Sequence, residues 1–180
     1  MLDRIRCAYH YGRYKRVKAL LPPERRRLLD IGCGNPCEAM QPGAFLHYLG
    51  YGMGVDLRHF RLPRFVQADV FNLPFGEGSF EVVVAMELLE YLNNPTAAVA
   101  EIVRVLTEDG LFLFTTLNTS PLMRFLWTVW SQTWGRMWQE YKLVNSAEDL
   151  AAICQKWFRL THRETYLNVC IMMWQRNPAR

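Results

Sequence analysis

Apolar residues cluster in short dense runs separated by mixed segments, and the two patterns alternate along the chain. Leu28-Leu29-Asp30-Ile31 is a brief apolar run stopped at once by Gly32-Cys33-Gly34-Asn35-Pro36, which reads as a buried strand feeding a tight turn. Pro36 suits the first turn of a helix, so a helix is predicted over 37–49, ended by Gly50. Gly52–Asp56 and Arg64–Ala68 predict a second and a third strand, too close together for a full helix between them. Phe80–Ala85 (FEVVVA) is nearly continuous and β-branched, the pattern of a strand buried on both faces. A helix is predicted at about 95–106, then a turn at Asp109-Gly110 and a strand over Leu111–Thr116.

Beyond Asn118 the texture changes. Residues 121–141 read as helical and rich in tryptophan. Ser146-Ala147-Glu148-Asp149 looks like a capped helix start, with the helix running to about Trp157. Phe158–Thr165 and Leu167–Trp174 then predict two strands joined by a tight turn. Residues 1–20 form an irregularly amphipathic helical pattern halted by Pro22-Pro23. Strands alternating with helices give an open, mostly parallel α/β sheet in a single domain over 1–180.

Composition narrows the class. With 180 residues, 51% apolar and 21% charged, the chain can bury a core, and disorder or collagen-like structure is excluded. No run nears the ~18 apolar residues of a membrane span. The N-terminus is charged and aromatic, with no secretory pattern. Five cysteines, odd in number and mostly isolated, read as reduced thiols in a cytoplasmic protein. The net charge of +4 is uneven: residues 1–27 carry nine basic side chains against two acids, while the rest is slightly acidic.

A strand followed by Gly-x-Gly and a helix is a ligand-binding device, because glycines let backbone N–H groups approach a ligand closely. Here the turn gains weight from three features that follow in order. Asp56 closes the second strand, 22 residues after Gly34, where a carboxylate can hold two ribose hydroxyls. Asp69 and Val70 follow the third strand, where an acceptor and a backbone N–H can read an adenine edge. Met86–Leu92 (MELLEYL) leaves the fourth strand over the site. Cys37 stands where a dinucleotide fingerprint wants its third glycine. Asp30, read as part of the turn, would repel phosphates and attract an ammonium or sulfonium. The ligand expected is therefore a cationic, phosphate-free adenosyl compound.

LLDIGCGNP (Leu28–Pro36), GVDL (Gly54–Leu57), QADVFNLPFGEGSFEVVVAMELLEYL (Gln67–Leu92) and EIVRVLTEDGLFLFTT (Glu101–Thr116) resemble the ordered motifs of class I S-adenosylmethionine-dependent methyltransferases, nearest the type 11 small-molecule subgroup. The resemblance implies a Rossmann-like open sheet, mostly parallel with an antiparallel last strand and helices on both faces. It implies S-adenosyl-L-methionine as cofactor, with S-adenosyl-L-homocysteine as product. By position, Gly32, Cys33 and Gly34 would line the methionine moiety, with Asp30 near its ammonium and Met86 supplying backbone beside it. Asp56 would hold the ribose, Leu57 would lie beside the adenine, and Asp69 and Val70 would read its edge. Many relatives have histidine where Tyr91 stands, so a histidine base is not implied.

A base is needed only if the acceptor arrives protonated. Glu87, Glu90 and Tyr91 are the residues near the mouth that could serve, and each also reads as helix surface or capping. His10, His47, His59 and His162 show no metal-ligand spacing, and Cys33 with Cys37 lacks a second pair, so no metal is expected. Trp127, Trp130, Trp134, Trp138 and Tyr141 share one helical stripe. It reads as a helix packed on the sheet, as a lid over the acceptor within a helical insertion at 119–157, or as an interfacial helix touching a membrane surface. The N-terminal arm, 1–26, reads as a solvated helix over the cofactor mouth or as a contact for nucleic acid. The function expected is methyl transfer to a small acceptor, of hydrophobic character if the tryptophan face roofs it. The alternatives are methylation of RNA or another polyanion, and a non-catalytic cofactor-binding interaction subunit.

Overall fold

The computed structural model describes residues 2–34, 40–117, 125, 129 and 143–178, with side chains from Cys7 onward. Seven strands form one sheet: β1 (Leu28–Ile31), β2 (Met53–Asp56), β3 (Phe65–Gln67), β4 (Phe80–Met86), β5 (Leu106–Leu117), β6 (Phe158–Tyr166) and β7 (Val169–Arg176). Their spatial order is β3-β2-β1-β4-β5-β7-β6. The first five are mutually parallel, and β7 runs antiparallel to both β5 and β6. The doubly wound α/β architecture expected from the sequence is thus present, with its antiparallel final pair.

Alternation along each strand builds two cores. Leu29, Ile31, Val83, Ala85, Phe112 and Phe114 face α3 (Pro95–Val105) and α4 (Ala147–Cys154). Leu28, Val82, Val84, Leu111 and Leu113 face α1 (Leu2–Leu20) and α2 (Ala44–Leu49). Burial on both faces explains why FEVVVA reads as an unbroken apolar run rather than an alternating one. The helices begin where their caps dictate. Asn94 Oδ1 accepts the Ala97 N–H ahead of α3, with Pro95 at its start. Ser146 and Asp149 form a reciprocal capping box on α4.

Three sequence expectations change, and a fourth lies outside the described residues. The helix predicted over 37–49 starts at Ala44, after Pro42 and a left-handed Gly43 (φ 67°); residues 37–39 lie outside the described set. The turn predicted at Asp109-Gly110 lies within β5, which begins at Leu106. There the β4–β5 pairing shifts register, Phe80 facing Leu106 and Val82 facing Leu111, and the surplus residues are absorbed as an irregularity. The helix predicted to reach about Trp157 ends at Cys154 and continues as turns. Within the tryptophan segment only Phe125 and Val129 are described, both helical and exposed; the stripe from Trp127 to Tyr141 lies outside the described residues. Among the described residues no helix is long and apolar enough to cross a membrane.

Candidate functional site

The parallel register brings the ends of the strands level. Ile31 lies beside Val55 and Ala85, Asp56 beside Gln67, and Met86 beside Thr115. The glycine turn, Asp56, the segment carrying Asp69 and the segment leaving β4 therefore open at one edge of the sheet, beside the central β1–β4 pair where the strand order reverses. The glycine turn is tied down there. Gly32 N–H and Cys33 N–H both donate to Val55 O, at 2.7 and 3.1 Å. Gly34 N–H donates to Asp56 Oδ2 at 3.0 Å, and Arg58 N–H donates to Asp56 Oδ1 at 2.9 Å. Gly32 has φ 72°, and a Cβ built on it would press on Leu88 at 3.3 Å. Asp69 is exposed and folds its own turn, accepting the Phe71 N–H on Oδ1, while Val70 is buried. Leu57 and Phe71 stand exposed beside these acids.

Asp30 departs from its expected setting. It lies within β1 rather than in the turn and is 1% exposed. Burial drives its pKa up to about 8, with Arg13 opposing and Asp56 adding to the rise. It is thus largely protonated at neutral pH without a nearby ligand cation, and its Oδ2 is buried with no hydrogen-bond partner. A buried acceptor left without a donor is costly.

The chain leaves β4 through Glu87, whose φ of 53° puts a non-glycine residue in the left-handed region. Its carboxylate is held from α1: Arg13 lies 2.5 Å away and Tyr9 Oη–H donates to it at 3.2 Å. Burial opposes ionisation of Glu87, but the Arg13 charge and these hydrogen bonds outweigh it and hold the carboxyl below its ordinary range. Glu87 is accordingly a poor proton acceptor. Glu90 is fully buried, with Oε1 accepting the Leu117 N–H and Oε2 unpartnered. Burial, then the nearby Glu87 charge, raises it to about 8. Burial, then Glu90, pushes the Tyr91 hydroxyl well up as well. The turn carrying both is strapped down by the Val144 and Asn145 N–H groups, which donate to Glu90 O, and by Asn145 Nδ2, which donates to Leu89 O and Leu92 O.

Residues 7–157 match the methyltransferase domain family. The chain belongs to it. The family depends on S-adenosylmethionine, and the site's chemistry fits such a cationic ligand: the unpaired, buried Asp30 Oδ2 offers an acceptor to an ammonium, and the Asp56 carboxylate stands at the end of the neighbouring strand. Phthiotriol/phenolphthiotriol dimycocerosates methyltransferase 1 of Mycobacterium ulcerans is 33% identical over 62% of this chain and 45% of its own length. Ubiquinone biosynthesis O-methyltransferase of Hahella chejuensis is 30% identical over 58% of this chain and 48% of its own. This methyltransferase domain thus spans about half the length of the curated relatives it matches. NodS, an N-methyltransferase of Bradyrhizobium japonicum solved with S-adenosyl-L-homocysteine, shares the fold with a TM-score of 0.68 at 17% identity, covering 93% of this chain and 87% of that one.

Sequence reasoning set the N-terminal helix over the cofactor mouth as a solvated element and missed that α1 buries a charge pair there. Tyr9, His10 and Arg13 stood in the sequence as members of a basic, aromatic arm. In the fold Arg13 is 2% exposed, with Nη2 3.0 Å from His10 Nδ1. Its pairing with Glu87 spans 74 positions of chain and leaves no local pattern.

Proposed function

We propose that this methyltransferase domain moves a methyl group from S-adenosylmethionine to a small acceptor of hydrophobic character. The observation that carries the cofactor half is the Gly34 N–H bonded to Asp56 Oδ2 beside the unpaired, buried Asp30 Oδ2. When bound, the cofactor supplies a methyl group on a positively charged sulfur. In this reading Asp30 accepts from its ammonium, Asp56 holds the ribose, and Gly32, Cys33, Gly34 and Met86 line its methionine part. Leu57 covers the adenine, and Asp69 and Val70 read its edge.

The acceptor half rests on what the N-terminal basic segment, α1 and the residues up to β1, does with its charge. Arg13 is buried on Glu87, Arg16 lies over the Tyr166 ring near Glu164, Arg25 pairs with Asp109, and Arg27 pairs with Glu81. Arg13 is withdrawn from solvent, and the half-exposed Arg16 and Arg27 are partly neutralised by their acidic partners, which favours a small acceptor over RNA. The relatives named for dimycocerosates and for ubiquinone biosynthesis support the hydrophobic character.

The cofactor half is tested by calorimetry. Wild-type protein should bind S-adenosylmethionine, and Asp56→Ala should weaken binding by at least about tenfold. Unchanged affinity in Asp56→Ala overturns the assignment of Asp56. For the acceptor half, radiolabelled cofactor is incubated with lipid extract and with total RNA; label should partition with the lipid fraction, and label in RNA would reverse the choice.

A further inference from the structure

Residues 68–79 carry the chain from β3, at the edge of the sheet, to β4 beyond β1, without a helix. Backbone that forms no regular structure must find its hydrogen-bond partners elsewhere. Two side chains of α3 supply them. Glu101 Oε1 accepts the Leu73 N–H at 2.8 Å. Arg104 donates from Nη2 to Leu73 O at 2.9 Å and from Nη1 to Phe75 O at 2.7 Å. Its own carbonyl accepts the Gly78 N–H at 3.0 Å. The two side chains also grip each other, Nε to Oε2 at 2.8 Å and Nη2 to Oε1 at 2.6 Å. The planar guanidinium is thus fixed by a carboxylate on one side and by two loop carbonyls on the other, a fork that lysine does not provide.

The same loop carries Asp69 and Val70. The hydrogen bonds of Asp69 are local, from Phe71 N–H to its Oδ1 and from Asn72 N–H to its carbonyl. They shape a turn without fixing where the turn sits. Its position is set on one side by the Ala68 N–H, which donates to Asp56 O at 3.1 Å, and on the other by Val70 and Leu73, buried in the core, and by the α3 pair immediately beyond them. We propose that Glu101 and Arg104 are positioning residues for base recognition, fixing the loop so that Asp69 and Val70 meet the adenine edge. The proposal rests on the cofactor reading given above.

A pair that merely staples the loop would affect all adenosyl-type ligands alike. A pair that positions Asp69 affects the choice between bases. Hypoxanthine carries a carbonyl where adenine carries an amino group, so a correctly placed carboxylate accepts from one and repels the other. The test compares S-adenosyl-L-homocysteine with S-inosyl-L-homocysteine by calorimetry on the intact domain, for wild type, Arg104→Leu and Arg104→Lys. Amide exchange at Leu73 is followed in the ligand-free proteins. Wild type should prefer the adenosyl ligand by at least about tenfold, and Arg104→Leu should lose most of that preference. Arg104→Lys should fall between them, and Leu73 exchange should quicken in the same order. If Arg104→Leu fails to fold, Arg104→Lys decides the matter by the same ratio. A base preference unchanged in the folded variants, or equal losses for both ligands, overturns the positioning role. Failure of wild type to bind either ligand overturns the cofactor reading itself, a result distinct from binding with an unaltered ratio.

Discussion

Gly34 stands where the glycine turn comes nearest to Asp56. A Cβ there would lie 2.7 Å from Asp56 Oδ2 and 2.8 Å from Arg58 Nη2. Gly34→Ala must push the Asp56 carboxylate out of place. We expect cofactor affinity to drop by about tenfold or more, while unfolding free energy changes by only about 1–3 kcal/mol, the usual cost of overpacking. Calorimetry and urea titration read the two effects separately. Asp30 has a different signature. Its folded pKa of about 8 lies above its ordinary 3.8, so the folded chain retains a proton that the unfolded chain sheds. Stability from this residue therefore falls as pH rises between those values. Asp30→Asn abolishes that loss. The variant should melt near the wild-type temperature at pH 4 and above it at pH 8–9. Parallel pH profiles for the two proteins would mean that Asp30 stays ionised throughout.

Helices and strands differ in how openly the sequence declares them. Ser146 with Asp149 is a local device, and it caps α4 where the sequence placed the helix start. Ser146→Ala should cost about 1 kcal/mol in urea unfolding, since it leaves the Asp149 N–H without its acceptor. β4 was equally legible, because a strand buried on both faces must be apolar at every step. α2 starts later than the sequence pattern implies: Pro42-Gly43, itself a turn signal in the sequence, precedes its first residue, Ala44. β5 hid its first residues because Asp109-Gly110 carries turn chemistry, and only the partner strand reveals that the sheet absorbs it. The glycine turn, Asp56 and Asp69 were visible because their spacing reflects local strand ends. The charge pairing of the site was not, since Arg13–Glu87 depends on how distant elements pack.

At the scale of the molecule, α1 is fastened by the β6–β7 hairpin. Tyr166 stacks with Tyr9, lies under the Arg16 guanidinium at 4.4 Å, and rests its hydroxyl against Gly12. A Cβ on Gly12 would sit 2.1 Å from that oxygen. Two effects oppose each other here. Alanine favours the helix by about 0.5–1 kcal/mol, whereas displacing a clamped tyrosine costs about 1–3 kcal/mol. Gly12→Ala should therefore destabilise the wild type yet stabilise a Tyr166→Ala background. A reversal of sign between the two urea titrations checks this, and equal effects would show that the contact is slack.

The placement of β7 between β5 and β6 has a consequence for the protein as it is made. β5 ends at Leu117, whereas its outer neighbour begins at Val169. At about 5–20 residues per second, a ribosome needs some seconds to bridge that interval. Throughout it, a strand whose Phe112, Leu113 and Phe114 are destined for full burial presents an open hydrogen-bonding edge. A nascent chain stalled in this window is a substrate for chaperones or a seed for edge-to-edge aggregation, and arrival of the final hairpin ends both fates.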